Sequence, residues 1–443
     1  MKRTLGILAG VTATGLIAFA APAAGADGQD RGDRAETAKK GKKTTLRVCR
    51  RGCEYRKIQK AVNDVKKGKN TTIKIEPGKY KEGVVVSGHK YDKLTIEGTK
   101  KNPKKVKLQG KNAKVKVPGQ PKAVAQNGIE GLNVSKLKIR NLTTKNYATN
   151  GVFIHADPNN KCKGFQMKNL YAADNRSYGL FARNCSGGSI TKSDASGHGD
   201  SGIYIGETPF QNKPKWTKIK DVKSYENVLG YSGTNSKYVD IVDSYWYNNG
   251  IGLAPNTLDS ELFQPTANGK IRKNHIFWNN FNYFLPDSPV QTVSGGLGEI
   301  GGATIQFPTG VGVFLFGSDG WQVKNNDIFG NFMWGVTAAS DPFNAKAVNQ
   351  NNQITDNKMG RGGSDENRVD FWNDGSGTAN CFDGNSAGST YGIPASSSKG
   401  ALYPTCPGSG TGSGTNSGNG EQFGELAGYV TSDPPCTQED KWA

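Results

Sequence analysis

The stretch "GVFIHADPNNKCKGFQMKNLYAADNRSYGLFARNCSGGSITKSDASGHGDS" (residues 151–201) contains two segments of similar layout. Each opens with alternating apolar residues, which is typical of a β-strand, and then passes through breaks rich in Gly, Asn, Asp and Ser. Segments of this kind begin at Gly128, Gly151, Gly179, Gly202, Gly230 and Gly250. The steps between them are 23, 28, 23, 28 and 20 residues, a near-constant period that indicates a solenoid.

The coils of this solenoid are predicted to consist of short strands, because no helical pattern lies between the strand-like stretches. Stacked coils pair their backbone groups with the next coil and bury alternate side chains. The sequence therefore predicts an all-β protein whose main body is a parallel β-helix.

The segment "YRKIQKAVNDVKKGKNTTIKIEPGKYKEGVVVSG" (residues 55–88) precedes these repeats. Its residues Ile58, Ala61, Val62 and Val65 have the spacing of an amphipathic helix. This segment and the repeats together resemble the right-handed parallel β-helix superfamily, which includes pectate lyases and polygalacturonases. The resemblance implies an all-β, single-stranded right-handed parallel β-helix whose N-terminal end is capped by the short helix. It assigns no function, since one fold hosts many activities.

The chain divides into five segments by composition. Residues 1–26 have the charged start, apolar run and small-residue cleavage site of a signal peptide, and residues 27–43 have the composition of a disordered basic linker. Residues 44–406 are predicted to form the β-helix, residues 407–420 a Gly/Ser-rich linker and residues 421–443 a C-terminal tail. No later segment has the roughly 20 consecutive apolar residues of a membrane span. We therefore expect a secreted, extracellular protein.

The seven cysteines of a secreted chain are expected to form disulfide bonds. Zinc binding is the weaker interpretation, because the cysteine spacings do not recur and no histidine cluster completes a ligand set. Proximity in the sequence favours three pairs and leaves one cysteine over: Cys49 with Cys53, Cys162 with Cys185, Cys381 with Cys406, and Cys436 alone.

The formal net charge is +19, and more than half of the 57 Lys and Arg residues lie between Lys39 and Lys145. Such a local excess indicates an anionic partner. For a secreted protein we expect this partner to be an acidic polysaccharide rather than nucleic acid, and we expect the protein to be a monomer. The alternative is that the lysines only keep a strand-rich protein soluble and its strand edges unpaired.

The first strand of each coil predicts a binding face. If Val152 and its equivalents point inward, Phe153, Phe181 and Tyr204 point outward on successive coils, about 4.8 Å apart. Sugar rings stack on such aromatic rows.

Insertions follow the same strand in three coils, at residues 155–165, 206–216 and 254–270. The alternative is that these loops cover the rings as a satellite core. The predicted substrate-binding residues are Phe153, His155, Phe181, Tyr204, Glu207 and Trp216.

The string Gly197-His198-Gly199 resembles the Gly-His-Gly motif of polygalacturonases, although that family's Asn-Thr-Asp and Asp-Asp segments are absent. The resemblance implies glycoside hydrolysis, in which Asp174 and Asp200 would be the acid and the base. A lyase would instead use Arg183, His198 or a lysine as the base, with Ca²⁺ or another cation neutralising a uronic carboxylate. The predicted catalytic residues are therefore Asp174, Arg183, His198 and Asp200, and no metal-ligand set is predicted.

Four asparagines, Asn141, Asn169, Asn274 and Asn326, are predicted to share one phase of the coil. Stacked Asn side chains commonly hydrogen-bond along the turns of repeating strands. We therefore interpret them as structural rather than catalytic.

Two later segments depart from the regular repeat. Residues 279–310 interrupt the period with a Gly-rich excursion, which is interpreted as a lid or a lateral wall. Residues 365–381 are predicted to form the closing strand and the C-terminal cap.

The predicted function is binding, and cleavage by a hydrolase or a lyase reaction, of an extracellular acidic polysaccharide. The alternative is a non-enzymatic carbohydrate-binding protein of the cell wall or matrix. Convergence of Asp174, His198, Asp200 and Glu207 in one cleft would favour catalysis, since a binding protein does not require convergent carboxylates.

Overall fold

The computed structural model describes residues 44–68, 70–160, 162–283 and 308–386, together with residue 406. The predicted signal peptide, both linkers, the C-terminal tail and Cys436 lie outside these residues, as does most of the interruption at residues 279–310. Within the described ranges, no helix combines the length and the apolar composition needed to cross a membrane.

Ten strands of the described residues form one continuous parallel sheet, which we call the site sheet. Its strands, in spatial order, are Val84–Ser87, Asn127–Leu132, Asn150–His155, Leu180–Arg183, Ser201–Gly206, Leu229–Thr234, Ile251–Asn256, Val311–Phe316, Trp334–Ala339 and Val369–Asn373.

Twenty further strands form a second parallel sheet, the back sheet, which contributes up to two strands to each coil. The first set comprises Thr44–Val48, Thr71–Ile75, Thr95–Gly98, Lys138–Lys145, Gln166–Ala173, Ser189–Thr191, Thr217–Lys220, Val239–Val242, Lys270–Arg272, Gln322–Lys324, Gln353–Thr355 and Cys381–Asp383. The second set comprises Gly78–Tyr80, Val106–Gln109, Asp194–Ser196, Lys223–Tyr225, Tyr245–Tyr247, His275–Phe277, Asp327–Phe329 and Lys358–Met359.

The remaining elements of the described residues are short. Three strand pairs lie outside the two sheets: Cys162–Lys163 with Cys185–Ser186, Thr266–Ala267 with Ser318–Asp319, and the antiparallel pair Lys114–Val115 with Ala123–Val124. The helices are the α-helix Ile58–Asn63 and the 3-10 helices His89–Tyr91, Pro103–Lys105 and Gly360–Gly363.

These parallel sheets confirm the predicted right-handed parallel β-helix. Val152, Leu180 and Ile203 pair in register on adjacent coils and are fully buried in one core that runs through the stack. The predicted repeat is wrong in one detail, because Leu229 pairs with Ile251 and therefore brings Gly252, not Gly250, into register with Gly230.

The N-terminal cap is formed by the helix Ile58–Asn63, as predicted. The Glu82 carboxylate accepts hydrogen bonds from the backbone N–H groups of Ile58 (3.0 Å) and Gln59 (3.1 Å), which satisfies the first turn of the helix. The Gln59 amide in turn bonds to both backbone groups of Val85 on the edge strand of the site sheet, at 2.6 and 3.0 Å. The helix thereby protects an edge that would otherwise pair with another chain.

Ladders of buried asparagines fix the corners between the sheets. In the longest one, each backbone N–H donates to the side-chain oxygen of the next coil, over 3.1 to 3.3 Å, through Asn227, Asn249, Asn279, Asn331 and Asn367. Each rung satisfies a buried backbone group that has no strand partner.

The four asparagines singled out from the sequence are structural but occupy two adjacent corner positions rather than one. Asn274 and Asn326 belong to a second ladder, in which the Asn274 N–H donates to Asn326 Oδ1 (3.0 Å). Asn141 and Asn169 hydrogen-bond to each other at 2.7 Å, but they adopt the left-handed conformation of the preceding position (φ 57° and 54°).

All three predicted disulfides are present: Cys49–Cys53, Cys162–Cys185 and Cys381–Cys406. The predicted closing segment, residues 365–381, contains the last strand of the site sheet, Val369–Asn373, and reaches the back-sheet strand Cys381–Asp383. The third disulfide therefore ties this final coil to residue 406.

Candidate functional site

The outward face of the site sheet carries the predicted aromatic row. Phe153, Phe181 and Tyr204 are in register on adjacent strands, with ring centroids 4.3 and 4.5 Å apart. Tyr178 packs against the latter two rings, at 4.6 and 5.1 Å. Phe181 is only 8% exposed and Tyr204 only 2%, so the row is not the open floor that the sequence predicts. The rings pack against one another, and Glu261 of the insertion at residues 254–270 contacts Tyr204, which agrees with the alternative that loops cover the rings.

Glu130 and His155 form a hydrogen-bonded pair at one end of this row. Glu130 is the register partner of Phe153 one coil earlier, and its Oε1 lies 3.1 Å from His155 Nε2. Burial raises the pKa of Glu130, but the hydrogen bond and charge of His155, together with the amide of Asn127, outweigh burial and hold this pKa below its ordinary value. The carboxylate is therefore the acceptor, and the His155 ring is fixed by stacking on Phe153 (3.9 Å).

Arg183 lies beside His155 on the next strand and forms an ion pair with Glu207, with 2.7 Å between Nε and Oε2. The Arg183 side chain is one-third exposed, whereas Glu207 is almost fully buried. Glu207 has a left-handed backbone (φ 47°). The equivalent residues of the neighbouring coils, Asn184 and Asn235, have the same conformation. Glutamate is less suited than asparagine to this conformation, and such strained positions often cluster at functional sites.

Tyr204 and Glu261 form the pair at the other end of the row. The Tyr204 hydroxyl donates to Glu261 Oε2 over 2.5 Å. Burial raises the pKa of Glu261 to about 8, which the nearby carboxylates of Glu207 and Asp200 also favour. This shift of the pKa favours the protonated form of Glu261 near neutral pH. We call Glu130, His155, Arg183, Tyr204, Glu207 and Glu261 the acid–base cluster.

Asp200 lies next to this cluster and is itself buried. It accepts a hydrogen bond from Ser201 Oγ (2.5 Å) and another from the Tyr178 side chain. Burial raises the pKa of Asp200 to about 6, against the effect of these hydrogen bonds. Asp200 is only 6% exposed.

Asp174 and His198 do not belong to the acid–base cluster. Asp174 is a left-handed corner residue (φ 49°) that forms an ion pair with Lys145 (2.6 Å). His198 is fully buried in the longest ladder, where its Nδ1 accepts the Asn175 N–H (3.2 Å) and its own N–H donates to Asn227 (3.0 Å). Burial lowers the pKa of His198 to about 4.

Asp174, His198, Asp200 and Glu207 therefore do not converge in one cleft, which is the arrangement that would favour catalysis over binding. Asp174 and His198 lie at the corner that precedes the site-sheet strands, whereas Glu207 lies at the corner that follows them. A strand of six residues, Ser201–Gly206, separates these corners by roughly 17–20 Å.

Trp216 also lies apart from the acid–base cluster. It precedes the back-sheet strand Thr217–Lys220 and is 38% exposed. Tyr238 lies at its edge, with 6.1 Å between ring centroids, and Lys270 Nζ lies 4.8 Å from its ring centroid.

Sequence reasoning missed Glu130, Tyr178 and Glu261. Glu130 could have been predicted from the sequence, because it is the residue one coil before Phe153 in the outward-facing column of Phe153, Phe181 and Tyr204. Glu261 lies in the predicted insertion at residues 254–270, but the conformation of that loop has no periodic signal. Across the described ranges, no group of three or more His, Cys, Asp and Glu side chains is arranged to hold a metal ion.

No protein-family model matches the chain. No curated protein matches it either. Among solved structures it is similar to the A-module of the mannuronan C-5 epimerase AlgE4 of Azotobacter vinelandii (15% identity, TM-score 0.48, 76% of this chain and 87% of that chain). It is also similar to the pectate lyase Pel9A (12%, TM-score 0.45, 83% and 82%) and to the PL6 family alginate lyase AlyGC (11%, TM-score 0.40, 72% and 38%).

Proposed function

We propose that this is a secreted β-helix protein that acts on an extracellular acidic polysaccharide by acid–base catalysis at the acid–base cluster. The observation that carries the proposal is the order of groups across three adjacent coils and one loop. The partly exposed His155, with its partner Glu130, stands beside the partly exposed Arg183, and the protonated Glu261 stands beyond it. Groups with opposite protonation preferences in one site define a base and an acid.

The reaction that suits this order is β-elimination from a uronic acid unit. The guanidinium of Arg183 binds the sugar carboxylate, which makes the neighbouring C5 proton more acidic. Glu130 accepts from His155 Nε2, so Nδ1 carries the lone pair that takes this proton. The C4–O bond then breaks, a C4=C5 double bond forms, and the leaving oxygen takes the proton of Glu261. Tyr204 positions that carboxyl group through its hydrogen bond.

The charge and the disulfides support the remaining parts of the proposal. A net charge of +19 favours an anionic polymer as the partner. Three disulfides within the described residues suit an oxidising, extracellular compartment and the signal peptide predicted at residues 1–26. We propose that the monomer is the active form.

A non-enzymatic carbohydrate-binding protein is the second candidate. It is favoured by the burial of Phe181, Tyr204 and Glu207, which leaves only part of the acid–base cluster exposed to solvent. Such a protein would hold a uronic carboxylate at Arg183 without any proton transfer.

A product assay separates these functions. The mature protein is incubated with acidic and neutral polysaccharides, and both new reducing ends and ultraviolet-absorbing unsaturated ends are followed. Elimination predicts unsaturated ends from an acidic polymer only. Reducing ends without unsaturation would contradict elimination and indicate hydrolysis. Retention on an acidic polymer without products would contradict catalysis and favour the binding protein.

A further inference from the structure

The segment Thr257–Thr266 is a compact loop whose two ends are joined. The Thr266 N–H donates to Thr257 Oγ1 (2.9 Å), and the Thr257 hydroxyl donates to the Gly317 carbonyl (2.6 Å). Both threonines are fully buried. Surface loops of this length with closely spaced ends form a known class that is frequently functional.

Polar contacts hold the middle of this loop over the acid–base cluster. The Asn235 amide donates to the carbonyls of Leu258 and Glu261, each over 2.9 Å, and Lys237 Nζ donates to the Phe263 carbonyl. The Glu261 carboxyl group accepts from the Tyr204 hydroxyl. Leu262 is 41% exposed, so it adds little apolar anchoring. Further hydrogen bonds join Thr266 to Ser236 and the Leu258 N–H to Asn235, so hydrogen bonds rather than a strand ladder hold the closed loop.

We propose that Thr257–Thr266 is a lid over the acid–base cluster and that the contact of Glu261 with Tyr204 is its latch. This proposal builds on the proposed function, because it concerns the same site. The lid explains how Tyr204, only 2% exposed here, can meet a sugar: the loop opens to admit the polymer. Closure over the bound sugar then excludes water and returns Glu261 to the leaving oxygen.

The closed form of the lid is expected to lose stability as the pH rises, because the cost of burying an ionised Glu261 exceeds the gain from its hydrogen bond with Tyr204. Glu261 faces Tyr178, Tyr204 and the charged groups of Asp200, Arg183 and Glu207. Burial among these groups raises the pKa of Glu261 from its ordinary value of 4.5 to about 8 in the closed form. The closed form is therefore most stable below pH 4.5, and it loses stability as the pH rises from 4.5 through about 8. The positive charge of Arg183 lowers the pKa of Glu261, but burial has the larger effect and keeps this pKa above its ordinary value.

Hydrogen–deuterium exchange of the loop tests the proposal without any substrate. Exchange rates of the peptide covering residues 257–266, corrected for intrinsic chemistry, are compared between pH 5 and pH 9 in the wild type and two latch variants. Wild-type protection should fall with rising pH. Glu261→Gln keeps an acceptor for Tyr204 but cannot ionise, so its protection should change less with pH than that of the wild type. Any change that remains is expected to come from Lys237, which contacts the Phe263 carbonyl and whose pKa is lowered by burial to about 8. Tyr204→Phe removes the latch, so the loop should exchange fast at every pH.

The exposed Asp259, on the same loop, provides the matched control, because Asp259→Asn should behave as the wild type. Equal and pH-independent protection in the wild type and both latch variants would overturn the lid. Loss of protection throughout the β-helix in both variants would also overturn it, since the contact would then be part of the global fold. A protein that passes this test but yields no products retains the lid and loses only the proposed catalytic function.

Discussion

At the scale of single residues, His198 shows why residue type alone misleads. A histidine between two glycines resembles a catalytic motif, yet its Nδ1 occupies the place that an asparagine oxygen holds in the coils on either side. The ladder also explains the glycine at residue 179, which faces His198. A Cβ on Gly179 would lie only 2.5 Å from His198 Nε2, so a larger residue would clash with the ladder side chain. The repeating glycines thus accommodate the ladder side chains, whatever their chemistry.

His198 is expected to make the fold sensitive to acid. Burial lowers its pKa from 6.5 to about 4, so unfolding takes up a proton within that window. Stability is therefore fully present above pH 6.5 and falls as the pH decreases through about 4. His198→Asn supplies the oxygen that the ladder uses elsewhere and should remove this part of the pH dependence. Thermal unfolding of both proteins from pH 7 to pH 4 measures the effect, and identical profiles would show that His198 is not the group responsible.

At the scale of elements, the asparagine ladder stabilises the corners that the strands leave unpaired. Asn249 accepts from the Asn227 N–H and donates to the Ser224 carbonyl, and all three residues are fully buried. Asn249→Ala leaves buried polar groups without partners and should lower the free energy of unfolding by about 2 kcal/mol or more. Asn159→Ala, at an exposed loop position, is the control and should have little effect. Chemical denaturation of the two variants checks this, and equal stabilities would contradict the role assigned to the ladder.

The elements that the sequence predicts well are those with a period. Alternation correctly places Val152 inside and Phe153 outside, and helical spacing correctly places Ile58–Asn63 at the N-terminal end. The positions of the corner residues are predicted less well. Asn141 and Asn274 have similar sequence surroundings, but Asn141 occupies the left-handed position of its corner and Asn274 the ladder position that follows it. The lid Thr257–Thr266 has no period at all, so its contact with Tyr204 depends on long-range packing that no local pattern encodes.

At the scale of the whole molecule, the fold and the site differ in how far they can be predicted. Every coil repeats the same sequence pattern, so an error of two residues at Gly250 does not change the predicted β-helix. The residues of the site do not repeat from coil to coil, so no periodic pattern predicts them. It combines Glu130, His155 and Arg183 from successive coils with Glu261 from a loop, and only the stacking of coils brings these residues together. The predicted binding residues His155, Tyr204 and Glu207 lie in it, whereas Asp174 and His198 lie at another corner.

The location of the site is the central claim, and two matched substitutions test it most directly. Glu130→Gln and Asp174→Asn each replace one carboxylate by an amide, and Asn suits the left-handed backbone at residue 174. Turnover is measured on the acidic polysaccharide that the product assay identifies, with polymer binding measured in parallel. We expect Glu130→Gln to lower turnover by about 100-fold or more with binding retained, because His155 loses the carboxylate that orients its base. Asp174→Asn should leave turnover essentially unchanged. Full turnover in Glu130→Gln, together with its loss in Asp174→Asn, would contradict the claim and place the chemistry at the opposite corner of the coil.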